Sequence, residues 1–184
     1  MITRAVGVAR LNKLADFLQK LPRTHFDFSR VCDLIKPSKT NQCGTVGCAM
    51  GWTPTVFPRL IGMVFESDYD TKQDKRERKE YIEGAEPDDI IDDGMGFFVR
   101  TGNLEQDRRK VRRRSLDYGE AANALFGIPI SDAKRLFGPE HTSPADGQTL
   151  DGLATPKQVA KRIRTYAKWW SNPYCERTRV EELY

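Results

Sequence analysis

Long apolar runs are missing from this sequence. No stretch of about 18 consecutive apolar residues occurs, so no membrane-spanning helix is predicted. Residues 1–21 carry charges throughout, in place of the continuous apolar core of a signal peptide, which favours a cytoplasmic protein. No internal repeat and no low-complexity linker occurs either. These absences argue against membrane, secreted and repeat proteins.

Histidine and cysteine are also scarce, with two and four residues respectively. In a cytoplasmic protein the cysteines are expected to be reduced thiols rather than disulfides. A cysteine enzyme usually needs a histidine base, and His25 and His141 are the two histidines available. We expect no resident metal and no cofactor.

Charged residues are plentiful but unevenly distributed along the 184 residues, a length that fits one domain. Residues 1–66 carry nine basic and four acidic side chains, a net charge of +5. Residues 67–107 carry six and thirteen, a net of −7, and residues 108–184 carry fifteen and nine, a net of +6. We predict a single domain over residues 1–184, with residues 67–115 as a charged insertion within it. Such blocks suit partner binding or pairing of charges within the chain.

Helical periodicity is the clearest local pattern. The first helix is predicted to stop at Pro22 and to bury one apolar face. That face consists of Val8, Leu11, Leu14, Ala15, Leu18 and Leu21. Later in the chain, a helix ending near Gly127 and a short capped helix from Ser131 to Gly138 predict an αα-hairpin. The hairpin is expected to bury Leu125, Phe126, Leu136 and Phe137.

The strongest helix start in the chain is Thr155-Pro156-Lys157-Gln158. It combines an N-cap, a proline at the first helical position and a capping-box glutamine. The helix that follows is predicted to bury Val159, Ile163, Tyr166, Ala167 and Trp170. Its other side carries Lys157, Lys161, Arg164 and Lys168.

Strand signals are fewer. The apolar run MGFFVRTG, with Gly94 and Gly102 as boundaries, predicts a strand, whereas RLIGMVF at residues 59–65 fits a buried helix or a strand. The predicted fold class is therefore mainly α. We expect a compact helical domain with a charged insertion and a small β-hairpin near residues 94–102.

The segment CGTVGCAMGW, residues 43–52, allows three interpretations: half of a metal site, a reactive thiol, or a close-packed helix entry. Structural zinc sites usually contain close ligand pairs, but Cys32, Cys43 and Cys48 are separated by ten and four residues. A helix from Val46 to Thr53, capped by Thr45, would place Cys48 in its first turn, where a thiol pKa is lowered. The small residues around Cys48 favour close packing, with buried thiols and Trp52 as an anchor.

Four short motifs together resemble a scattered group of short bacterial and phage proteins of unknown function. The motifs are C-G-T-x-x-C-A-x-G-W, E-A-A-x-x-L-F-G-I, A-x-x-L-F and T-P-x-x-V-A-x-R-I, at residues 43–52, 120–128, 133–137 and 155–163. The resemblance covers about a third of the chain. It implies an α-rich fold and a mobile-element origin, and it brings no activity and no catalytic residue.

Two opposite charge clusters lie within the predicted insertion. The string DDIID, residues 88–92, has the form of a short magnesium motif, but an acidic face turned to solvent or to a partner explains it better. Six of the seven residues at 108–114 are basic, and they suit either phosphate contacts or pairing with acidic residues 83–93, within the chain or across a homodimer.

The leading functional hypothesis is a non-enzymatic, phage-type interaction protein that binds a host or viral protein, for example as an inhibitor of a host defence system. Its partner-binding residues would be Asp88, Asp89, Asp92, Asp93, Arg108, Arg109, Arg112, Arg113 and Arg114. The first alternative is a nucleic-acid-binding protein that uses residues 108–114 and the last helix. Its further contacts would be Lys110, Lys161, Arg164 and Lys168. The second alternative is a thiol or metal-dependent enzyme centred on Cys48.

Overall fold

The computed structural model describes residues 2–28, 48–65, 95–100, 116–139 and 141–174. Within these residues the chain forms five α-helices, one short 3-10 helix and two strands. The helices are α1 (Arg4–Lys20), α2 (Thr53–Val56), α3 (Tyr118–Phe126), α4 (Ile130–Phe137) and α5 (Pro156–Ser171), and the 3-10 helix is Arg23–His25. The strands are β1 (Ile61–Phe65) and β2 (Met95–Val99). The predicted mainly α fold class is confirmed.

The two long helices, α1 and α5, pack against each other and run antiparallel. At one end the Arg4 guanidinium lies 4.4 Å from the centre of the Trp170 ring, near the end of α5. At the other end Arg23, just after α1, donates to the carbonyl oxygen of Leu153, just before α5, over 3.5 Å. The predicted apolar face of α1 is confirmed in the buried residues Leu11, Leu14, Ala15 and Leu18. Val8 and Leu21 are only partly buried at its edges.

Gly7 marks a close approach of α1 to the end of α3. A Cβ atom at this position would lie 1.9 Å from the carbonyl oxygen of Phe126, so only glycine fits there without a shift of backbone. The neighbouring Arg10 donates to the carbonyl oxygen of Leu125 over 2.7 Å. The last carbonyls of α3 are thus covered by α1, which fixes the crossing of these two helices.

Helices α3 and α4 form the predicted αα-hairpin. Asp117 and Glu120 make a capping box at the start of α3, and Gly127 ends it in the left-handed conformation at φ 71°. All four side chains predicted to face inward are buried. The start of α4 differs from the prediction: it begins at Ile130 after Pro129, whose fixed φ suits a helix entry, and no side chain caps it.

The small antiparallel sheet joins distant parts of the chain. Strand β2 lies where it was predicted, and its partner is β1, with Ile61 opposite Val99 and Phe65 opposite Met95. Residues 59–65, which fitted either a helix or a strand, therefore contain a strand. The small antiparallel hairpin expected near residues 94–102 is confirmed, and its two strands are separated in sequence by residues 66–94. A single bridge between Phe97 and Leu116 links the sheet to the start of α3.

The segment around Cys48 is packed as expected but is not helical as expected. Of the predicted helix over residues 46–53, the structure describes residues 48–53: residues 49–52 form successive turns, and the helix begins at Thr53. Pro54 in the first turn of α2 favours a helix start at this point, and Gly51 disfavours a helix before it. Cys48, Ala49 and Met50 are all buried, whereas Trp52 is only partly buried against Phe17.

Candidate functional site

The outward side of α5 carries a row of four basic side chains, which we call the basic row: Lys157, Lys161, Arg164 and Lys168. Steps of four, three and four residues keep them on one side of the helix, over about 16 Å of its length. The three lysines are exposed and Arg164 is partly exposed. The sequence placed these residues on one helix side, and the structure brings them together there.

The opposite side of α5 holds the row in place. The five apolar and aromatic residues predicted for this side are all buried. At the start of the helix, the Gln158 amide donates to the Thr155 hydroxyl oxygen over 3.3 Å, and the Thr155 amide donates to the Gln158 side chain over 2.8 Å. The predicted capping box is thus present. Together, the cap and the buried side make α5 a rigid support for its basic side chains.

One acidic side chain reaches into the row. The carboxylate of Asp16, on α1, accepts a hydrogen bond from Arg164 over 2.7 Å. The pair is open to water, with exposed side-chain fractions of 65% for Asp16 and 38% for Arg164. Asp16 is the single acidic residue of α1, and Lys13 and Lys20, three and four residues away, lie on the same side of that helix.

The described part of the chain is strongly basic as a whole. It contains fourteen lysine and arginine residues and seven aspartate and glutamate residues, a net charge of +7. The whole chain has a net charge of +4, so the remaining residues contribute −3. The scaffold that carries the basic row therefore attracts anions more strongly than the net charge of the whole protein suggests.

A buried polar cluster lies between α4 and α5, and sequence reasoning missed it. Arg162 is only 4% exposed, and its Nη2 donates to the carbonyl oxygens of Arg135, at the end of α4, and of His141. One turn later on α5, the Tyr166 hydroxyl donates to Asp132 over 2.8 Å, and both residues are fully buried. The helical period was the available signal, because residue 162 lies three residues after Val159 and four before Tyr166.

Arg162 does not belong to the basic row. Burial lowers the pKa of its guanidinium, while Asp146 raises that pKa and Arg135 lowers it. Its charge is engaged by the carbonyl of Arg135, near the end of α4 where a helix carries partial negative charge, and by the carbonyl of His141 in the following loop. Arg162 therefore holds α4 and the following loop against α5. Contact with anions in solution falls to the exposed residues of the basic row.

Cys48 has little access to solvent, with an exposed fraction of 3%. The prediction that this thiol is buried is confirmed, while Cys32, Cys43 and Cys175 lie outside the described residues. Among the residues that the structure describes, no group of three His, Cys, Asp or Glu side chains is arranged to hold a metal ion.

All nine predicted partner-binding residues lie outside the part of the chain that the structure describes. The four aspartates at 88–93 and the basic residues at 108–114, Lys110 included, lie outside the described residues. Of the predicted contacts, the structure therefore describes Lys161, Arg164 and Lys168. Among the described helices, none is long and apolar enough to cross a membrane. No family model, no curated protein and no solved structure matches the chain.

Proposed function

We propose that this chain is a non-enzymatic binding protein and that its basic row contacts the phosphate backbone of a nucleic acid. The observation that carries the proposal is the row itself, four basic side chains on the exposed side of a well-supported helix. Lysine and arginine that meet phosphates release condensed counterions, which provides affinity independent of base sequence. Long exposed side chains on a rigid helix suit this kind of contact, because they adapt to the backbone of the nucleic acid.

The described surface supports an anionic polymer better than an apolar protein interface. The large apolar side chains that it exposes are Val6, Val99, Ile130, Leu153 and Tyr174. They lie on α1, β2, α4 and two loops, one on each, and exposed apolar residues of this kind are normal on a protein surface. The centre of a protein interface is usually a desolvated cluster that contains aromatic residues. The basic row has the opposite character, since it is charged and open to water.

A protein partner remains the competing hypothesis. The acidic and basic residues that would form such an interface lie outside the described residues, so the described surface lends that hypothesis no support. The phage origin and the inhibition of a host defence system also stay predictions. For the third hypothesis, an enzyme centred on Cys48, burial of the thiol is unfavourable because a substrate must reach the sulfur atom.

The test is the binding of labelled duplex DNA, single-stranded DNA and RNA to the full chain, followed by fluorescence anisotropy over a series of salt concentrations. The row variant replaces Lys161 and Lys168 with glutamine. The control variant replaces Arg59 and Lys134 with glutamine, which also removes two exposed positive charges but away from α5. Both variants thus have the same net charge.

We expect the row variant to bind about tenfold or more weakly at low salt. The slope of log affinity against log salt should become shallower by about 1.8 for a duplex or about 1.4 for a single strand, since two phosphate contacts are lost. The control variant should keep the wild-type slope. Absence of binding at low salt, or an equal loss in both variants, would contradict the proposal. Capture of an acidic protein in place of nucleic acid would support the competing hypothesis.

A further inference from the structure

We infer that Asp16 is a built-in competitor for the basic row: its carboxylate occupies Arg164 until a phosphate of the nucleic acid displaces it. The inference rests on the proposed function and goes further, because it assigns a role in affinity to an acidic residue of another helix. In this role Asp16 weakens binding and makes it selective for polymers that can engage the flanking lysines together with Arg164.

The hydrogen bond to Arg164 places Asp16 beside an inner member of the basic row. Arg164 is an inner member of the row, with Lys161 three residues before it and Lys168 four residues after it. Its Nη2 lies 2.7 Å from Asp16 Oδ1, a normal distance for a charged hydrogen bond. On α1, Lys13 and Lys20 flank Asp16 at helical spacing. The carboxylate is therefore the one acidic side chain of α1, on a side of that helix that also carries Lys13 and Lys20.

The pair is weak enough to be displaced. Both side chains are substantially exposed to water, and exposed ion pairs add little to stability. A phosphate that approaches Arg164 competes with a carboxylate on equal chemical terms, because both are oxygen anions. The phosphate gains from the neighbouring lysines at the same time. A single small anion lacks that advantage, whereas a polymer places several phosphates along the row.

Asp16 also changes the salt dependence that binding should show. When a phosphate replaces Asp16 on Arg164, the arginine exchanges one anion of the protein for one of the ligand, and fewer ions are released to solution. Without Asp16, Arg164 contributes like the lysines, so the slope of log affinity against log salt steepens by about 0.7–0.9. This slope distinguishes competition at Arg164 from a change in protein stability.

The experiment compares Asp16→Asn, Asp16→Glu and Asp117→Asn with the wild-type chain, in the anisotropy assay and on the nucleic acid that the wild type binds best. Asp16→Glu keeps the charge and can still reach Arg164. Asp117→Asn is the matched control, because Asp117 also forms an exposed ion pair between two helices, with Lys134 Nζ at 3.8 Å. Asparagine remains a good N-cap for α3, so the control variant should stay folded.

We expect Asp16→Asn to bind about three- to tenfold more tightly at low salt, with the steeper slope and an unchanged melting temperature. Asp16→Glu should bind like the wild type, and Asp117→Asn should stay within about twofold of it. Equal tightening by Asp16→Asn and Asp117→Asn would overturn the inference, because net charge alone would then explain the effect. Tightening by Asp16→Glu, or none by Asp16→Asn, would overturn it as well. A wild type that binds no nucleic acid would instead refute the proposed function.

Discussion

Replacing Tyr166 with phenylalanine should destabilise the protein through one lost hydrogen bond. The Tyr166 hydroxyl donates to Asp132 Oδ2 over 2.8 Å, and both residues are fully buried between α4 and α5. The substitution removes a single oxygen atom. It keeps the ring that packs against Trp169 and Trp170, at centroid distances of 5.4 and 6.2 Å.

The magnitude follows from what is lost and what is kept. Removing one partner of a buried hydrogen bond costs about 1–3 kcal/mol, because the remaining partner stays buried and loses that bond. The ring keeps its volume, so no cavity term of the kind that follows a large-to-small change is added. We therefore expect the free energy of unfolding to fall by about 1–3 kcal/mol. In a domain of this size, such a loss corresponds to a melting temperature lower by about 2–12 °C.

Urea denaturation followed by circular dichroism measures the effect. The matched control is Tyr174→Phe, which removes the same atom from a side chain that is 62% exposed and should change stability by less than about 0.5 kcal/mol. The denaturant slope should be the same in both variants, because neither change alters the surface exposed on unfolding. A loss in Tyr166→Phe no larger than in the control would refute the reasoning.

Two further predictions test other parts of the scaffold. Gly7→Ala should lower the free energy of unfolding by about 2–3 kcal/mol, since the added Cβ would lie 1.9 Å from the Phe126 carbonyl oxygen. Urea denaturation measures this loss, and an unchanged midpoint would refute the close approach. Burial, and then the charges of Asp117 and Cys48, raise the pKa of Tyr118 above its ordinary value of 10.0. The neutral form is thus favoured in the folded state, and this contribution to stability is complete below about pH 10 and lost as the pH rises through the folded-state pKa. Tyr118→Phe should therefore lose less stability than the wild type between about pH 9 and 11, and equal losses would contradict the raised pKa.

The sequence predicts best those elements whose signals are local. The capping box at Thr155 and the helix ends at Gly127 and Gly138 depend on neighbouring residues alone, and the structure has each of them. The apolar faces of α1 and α5 follow from the helical period. Local signals predict a helix start less well where caps, glycine and proline favour different positions. Before Thr53, a cap at Thr45 favoured a helix from residue 46, but Gly51 and Pro54 favour a start at Thr53.

Contacts between distant residues could not be predicted from the sequence. The pairing of β1 with β2 joins residues on either side of 66–94, and nothing in the strand MGFFV specifies that partner. The burial of Arg162 was missed for a related reason. Arginine is usually exposed, and the carbonyl oxygens that accept from it become available only when the end of α4 meets α5.

The candidate site also combines a local part, which the sequence predicts, with a long-range contact, which it does not. The basic row could be predicted, because one helix and its period bring its four residues together. The contact between Asp16 and Arg164 could not, since it joins residues 148 positions apart and requires the antiparallel packing of α1 on α5. Sequence patterns thus identified the attractive charges of the surface, and the tertiary structure supplied the opposing one.

Stability and binding depend on opposite sides of α5, and this separation makes the proposed function testable. The buried side supplies the apolar contacts and the polar cluster of Arg162 and Tyr166, so substitutions there should lower the stability of the protein. The row side contributes exposed charges whose removal should cost less than about 0.5 kcal/mol. A loss of nucleic-acid binding in the row variant, with an unchanged unfolding midpoint, can therefore be assigned to the lost phosphate contacts themselves. A loss that accompanied unfolding would instead show that the two sides of the helix are not independent.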